Sequence, residues 1–344
     1  MRRTARALTA LLLVVTVGAL VASRVHAQGV ADFYKGRNVE IVVGWSAGAG
    51  YDVYARFLAR YMGRHIPGNP SVVVQNMAGA ASLRATNYIY NVAPRDGSVF
   101  GMIGRGTAFD PLLLPSTPAQ FEAAKFGWLG SMNDEVSVCV AWEEPAVTRL
   151  EDVLSKELVI GGSGASADTD QFPLLMNRTL GTRFRIIPGY PGGNDINLAM
   201  QRGEVKGRCG WSWSSIRVTH SEQYRNKVFH VLVQLGLAKH PDLPDVPLIM
   251  DLAKSEEQRL MYKLVFARQV MGRPFLAPPG LPADRLAALR KAFMDTMADP
   301  EFLGEAARMK LEITPVDGAR VQALVEEIYR QSPEIARKTG AALQ

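Results

Sequence analysis

Residues 39–64 read VEIVVGWSAGAGYDVYARFLARYMGR. Val39, Ile41, Val42 and Val43 have the β-branched character of a buried strand, Gly44, Gly48 and Gly50 build a turn, and an amphipathic helix opens near Asp52. A strand that feeds a glycine-rich turn and then a helix leaves the first N–H groups of that helix without intrahelical acceptors. Those donors and the positive end of the helix dipole favour an anion. An anion is therefore expected at this turn and helix start. Asp52 either caps the helix, the preferred reading, or touches the ligand.

The arrangement occurs a second time. Leu158-Val159-Ile160 runs into the turn Gly161 to Ser166, then Asp168, Thr169 and Asp170, then the helical spacing Phe172, Leu175, Met176 and Thr179 before Gly181. Two such turns on separate lobes would clamp a small acid. Further strands are expected at 71–74, 98–103, 184–187, 207–211 and 228–235, with helices at 81–90, 172–180, 196–202, 284–297, 300–309 and 319–330. This alternation predicts an α/β protein with mostly parallel sheets. A boundary near 130–135 and a return near 235–236 give two lobes, residues 28–130 with 236–344, and residues 131–235. The stretch His240 to Asp251, HPDLPDVPLIMD, holds too much proline for an uninterrupted element.

Residues 1–27 have the parts of an export signal, with Arg2, Arg3 and Arg6, an apolar run from Leu8 to Ala22, and a cleavage site near Ala27. That run is short for a membrane anchor and is interrupted by Thr9, Thr16 and Gly18. The mature protein is expected in the periplasm. The formal charge is +6, and Arg2, Arg3, Arg6 and Arg24 carry four of those charges in a leader without acids, so +2 remains. Such near-neutrality gives no electrostatic reason to expect a nucleic acid or an anionic membrane surface. Cys139 and Cys209 are the two cysteines; they pair in an oxidising compartment or stay as two buried thiols. Neither stands in a CxxC, and His65, His220, His230 and His240 are scattered, so no cofactor and no metal are indicated.

Gly44-Trp45-Ser46-Ala47-Gly48 matches the G-x-S-x-G nucleophile elbow of serine hydrolases. Here, however, the elbow strand would be the first of the mature chain, with no earlier strand to supply the oxyanion-hole loop. A dinucleotide fingerprint fails too, since Val53 stands where the third small residue belongs and no acid ends the second strand. No catalytic residues are therefore assigned. Trp211 and Trp213, read on one strand, place both rings on one face, as core packing or as an aromatic wall of the cleft. Arg105, Gly106 and Thr107 follow the strand at 98–103 as further first-lobe contacts or as a structural turn.

Taken together, the motifs resemble those of the Bug-type periplasmic solute receptors of tripartite tricarboxylate transporters, over essentially the whole mature length. Ser46 to Asp52 with Arg56 stands for that family's glycine-rich turn with a downstream Asp and Arg. Gln75-Asn76-Met77-Ala78-Gly79-Ala80, Pro94-Arg95-Asp96-Gly97, Tyr190-Pro191-Gly192, Leu243-Pro244-Asp245-Val246-Pro247 and Ala277-Pro278-Pro279-Gly280-Leu281-Pro282 follow in the family's order. Two departures mark a divergent branch: Ser46 to Gly50 replaces the usual Pro-Gly-Gly, and the Thr and Glu expected after Pro247 are absent. The resemblance implies a monomeric, non-enzymatic receptor whose two lobes close on a small carboxylic acid for integral membrane transporter subunits. It places first-lobe contacts at the backbone N–H groups of Ala47, Gly48, Ala49, Gly50 and Tyr51, and second-lobe contacts at Ser163, Gly164, Ser166, Asp168 and Thr169, and at Tyr190, Gly192, Gly193 and Asn194. A sensing module of the same fold for a signalling partner is the alternative, with a Ser46 hydrolase behind it.

Overall fold

A computed structural model describes residues 29–344, and the export-signal expectation for 1–27 lies outside the described residues. The opening strand β1 (Asn38–Val43) pairs in parallel with β2 (Ser71–Asn76) and β3 (Val99–Met102). Its alternation divides two cores. Val39, Ile41 and Val43 pack with Phe57, Leu58 and Phe275, while Val42 faces the opposite cluster containing Ile89. Helix α1 (Gly50–Met62) follows the glycine turn and buries Tyr54, Phe57, Leu58 and Met62 against the sheet. Each such large side chain contributes about 1.5–3 kcal/mol of apolar burial. Helix α2 (Leu83–Asn91) returns the chain to β3.

The chain then adds β4 (Gly127–Ser131), leaves this sheet, and begins a second one with β5 (Ser137–Trp142). The second sheet continues through β6 (Leu158–Gly161), helix α3 (Asp168–Leu180), β7 (Phe184–Ile187), helix α4 (Gly193–Gln201), β8 (Gly207–Ser212), helix α5 (Trp213–Thr219) and β9 (Phe229–Leu235). Afterwards β10 (Pro274–Ala277), helix α6 (Ala283–Met297) and β11 (Val316–Asp317) rejoin the first sheet. The strand orders are β11-β4-β10-β3-β1-β2 and β7-β6-β8-β5-β9. This is the expected two-lobed α/β architecture. Each sheet is mixed: β2-β1-β3 and β7-β6-β8 are parallel, whereas β4, β5, β9, β10 and β11 pair antiparallel. Among the described residues no helix is long and apolar enough to cross a membrane.

Two local features matter for the site. Between Val138 and Val140 of β5, strand β8 carries one extra residue, a bulge at Cys209-Gly210. Cys139 and Cys209 form a disulfide at that bulge, which settles the two alternatives left open by the sequence. Strand β8 also ends at Ser212, so Trp211 and Trp213 do not share a strand face. Trp213 opens α5 and donates its indole N–H to Asp242 at 3.2 Å, away from the cleft.

Candidate functional site

A cavity of about 80 Å³ lies where the two sheets' helices and loops meet. Three helices begin at its wall. Ala49, Gly50 and Tyr51 come from the start of α1, Ala167, Asp168 and Thr169 from α3, and Gly193 and Asn194 from α4. The first N–H groups of a helix have no intrahelical acceptor. Among the described residues nothing else accepts from those of Gly50, Tyr51, Asp168, Thr169, Gly193 or Asn194. Three positive dipole ends thus converge on one enclosed space.

The three starts share a sequence signal, an Asp at the third helical position: Asp52, Asp170 and Asp195. Asp52 Oδ2 accepts the N–H of Gly48 at 2.8 Å and Arg56 Nε at 2.9 Å, while Asn76 donates to Oδ1 at 2.8 Å. Burial alone would raise the pKa of Asp52, but these hydrogen bonds outweigh it and hold the carboxyl below its usual range. Asp170 Oδ2 likewise accepts from Ser163 N at 2.8 Å and Gly164 N at 3.1 Å. The turn amides of Gly48, Ser163 and Gly164 are therefore consumed within the protein. The free donors lie a few residues further on, inside the helices.

Of the residues singled out from the sequence, Ala49, Gly50, Tyr51, Arg105, Thr107, Ser163, Ser166, Asp168, Thr169, Gly193, Asn194 and Trp211 line the cavity. Ala47, Gly48, Asp52, Gly164, Tyr190 and Gly192 do not. Ala47 and Gly48 face solvent, and Asp52 is committed to the turn behind the wall. Gly164 gives its N–H to Asp170, and Tyr190 packs over Gly161. Gly192 sits at the seam between the lobes, where a Cβ would lie 2.6 Å from Ser46 Oγ. The Oγ of Ser46 has no hydrogen-bond partner among the described residues, so no base stands ready to activate it.

Sequence reading found Arg105 but missed Arg208, Arg268 and Arg273. Arg105 and Arg273 reach the cavity wall while 2% and 0% exposed, and Arg268 lies 0% exposed behind it. Arg105 donates to Asp168 Oδ2 from Nε at 2.8 Å, and Asp168 Oδ1 takes Arg268 at 3.3 Å. Burial works against the charge of Arg105, but Asp168, together with Tyr51 and Glu135, more than offsets it. Arg273 pairs with Glu135 at 3.3 Å and donates to Ser212, Ser214 and Ser215 at 3.2, 3.1 and 3.0 Å. Arg208 differs from the other three. It has no carboxylate partner among the described residues, and burial, with the charge of Arg105 adding, pulls its pKa down to about 9. One terminal nitrogen donates to Gly193 O and Asn197 Oδ1, both at 3.0 Å, Nε has no acceptor, and the Trp211 ring lies 5.1 Å from the guanidinium carbon. Among the described residues no cluster of His, Cys, Asp and Glu could hold a metal ion.

No family model and no curated protein matches this sequence. Solved structures do. The periplasmic binding protein BugD superposes with a TM-score of 0.71 at 21% identity, over 89% of this chain and 99% of BugD. The chain has the fold of Bug-type receptors. MatC from Rhodopseudomonas palustris, solved with bound malate, gives 0.69 at 18% identity over 88% of this chain and 99% of MatC. A second R. palustris protein, solved with adipate, gives 0.69 at 18% identity over 89% and 98%.

Proposed function

We propose that this chain is an extracytoplasmic solute-binding receptor, without catalytic activity, that closes on a small carboxylic acid and delivers it to a tripartite tricarboxylate-type membrane transporter. The observation that carries the reading is the enclosed cavity walled by the first turns of α1, α3 and α4. Hydrogen bonds to a charged group contribute about 1.5–3 kcal/mol each. A handful of them gives affinities near the micromolar range after ordering is subtracted. The malate and adipate carried by the two R. palustris proteins support the carboxylate class. Residues 28–130 with 236–344 form one lobe and 131–235 the other, and the receptor acts as a monomer in the periplasm. The membrane partners recognise the closed form, in which both lobes meet around the ligand.

The test is a thermal-shift panel of organic acids, sugars, amines and metal ions, followed by calorimetry on the hits. One or more small carboxylates are expected to raise the melting temperature in a saturable manner. Stabilisation by sugars, amines or metals alone would refute the class.

A further inference from the structure

Resting on the receptor reading, we infer that Arg208 pairs directly with the ligand's carboxylate, and that the site selects small carboxylates that carry no ammonium group. Three arginines, Arg105, Arg208 and Arg273, line the cavity, against a single carboxylate, Asp168. Asp168 is already spoken for. Its Oδ2 accepts both Nε and a terminal nitrogen of Arg105, at 2.8 and 2.7 Å, and its Oδ1 faces Arg268. Glu135 answers Arg273 from behind the wall. With each acid matched in this way, Arg208 is the cavity-wall cation left without a counter-charge among the described residues.

The side chain is also held ready. Bonds to Gly193 O and Asn197 Oδ1 fix one terminal nitrogen, and Trp211 backs the guanidinium plane. Its Nε and its other terminal nitrogen donate to no protein acceptor among the described residues. That edge is the one a carboxylate engages with two parallel hydrogen bonds. Gly193 lets the start of α4 pack against the guanidinium, because a Cβ there would lie 2.4 Å from an Arg208 terminal nitrogen and 2.8 Å from its guanidinium carbon. A half-buried cation without a counter-charge is disfavoured unless it meets an anion, and its place beside three helix N-termini fits a bound one. A ligand ammonium would find no uncommitted carboxylate on the wall and three guanidinium groups around it.

The experiment uses the full chain and matched acids that differ by one amino group: propionate with alanine, succinate with aspartate, and glutarate with glutamate. Inorganic phosphate and sulfate are included. At least one unaminated acid is expected to bind, with its aminated counterpart weaker by on the order of a hundredfold, because like charges then oppose without water between them. Arg208→Met is expected to weaken that acid roughly 100-fold through loss of two charge-assisted hydrogen bonds, and Arg208→Lys to restore part of it. The ligand-free Arg208→Met chain is expected to melt at or above the wild-type temperature, since it loses an unmatched, half-buried charge.

An aminated acid bound as tightly as its counterpart, or binding of phosphate or sulfate alone, overturns the ligand class. Affinity kept in Arg208→Met, or a ligand-free variant less stable than wild type, overturns the role of Arg208. If the wild-type chain binds no acid of any kind, the receptor reading itself falls.

Discussion

Asp110, at the start of the short helix Asp110–Leu113, is 1% exposed, and its Oδ2 has no hydrogen-bond partner among the described residues. Burial pushes its carboxyl up to about 7, against the pull of Ser166 and Arg268. The folded state therefore keeps a proton that the unfolded chain releases near pH 4. This contribution to stability is complete below about pH 4 and is lost as pH rises through about 7. Asp110→Asn is expected to flatten that decline, matching wild type at pH 4 and exceeding it by a few kcal/mol at pH 8. Urea melts at both pH values check this; an unchanged slope in the variant would show that Asp110 is not the titrating group. Neither Asp110 nor Arg208 announces itself in sequence. Arg208 and Trp211, three residues apart, belong on opposite faces of a regular strand. Only the extra residue at Cys209-Gly210 brings the ring against the guanidinium.

The first turns of α1 and α3 were legible as anion-seeking helix starts because a strand, a glycine turn and an amphipathic helix each leave their own periodic mark. The identity of the free amides was not legible, since it depends on where Asp52 and Asp170 send their oxygens. Strands β4, β5 and β10 escaped for a different reason. They are buried on both faces, so they show no alternation, and their antiparallel partners are distant in sequence. At the bulge Gly210 has φ +63°, and a Cβ there would lie 2.6 Å from Asp168. Gly210→Ala is thus expected to lose about 1–3 kcal/mol through left-handed backbone strain and displacement of the α3 start. Chemical denaturation measures this, and a stability equal to wild type would mean that the bulge relaxes freely.

Across the whole molecule, ion pairs join the lobes through the cavity wall. Arg105 follows β3 of the first sheet, whereas Asp168 opens α3 beside the second, and Arg268 lies on the return to the first. Replacing Asp168 by Asn leaves two buried arginines without their carboxylate, a change expected to cost about 3–5 kcal/mol. The same loss is expected to favour separation of the lobes. Thermal denaturation and small-angle scattering follow the two effects, and a variant as stable and compact as wild type would rule out Asp168 as the link. The two-lobed α/β architecture followed from the alternating pattern and the family resemblance, but this cross-lobe wiring did not, because it joins residues 63 and 100 positions apart.

The enclosed, positively charged cavity has a practical consequence for anyone handling the protein. On the proposed receptor reading, a chamber of this kind is poorly suited to standing empty, and buffer anions or an acid from the growth medium are expected to occupy it through purification. Cargo identity is then best sought by denaturing freshly isolated protein and weighing what escapes, and titrations should start from refolded, stripped material in a non-competing buffer.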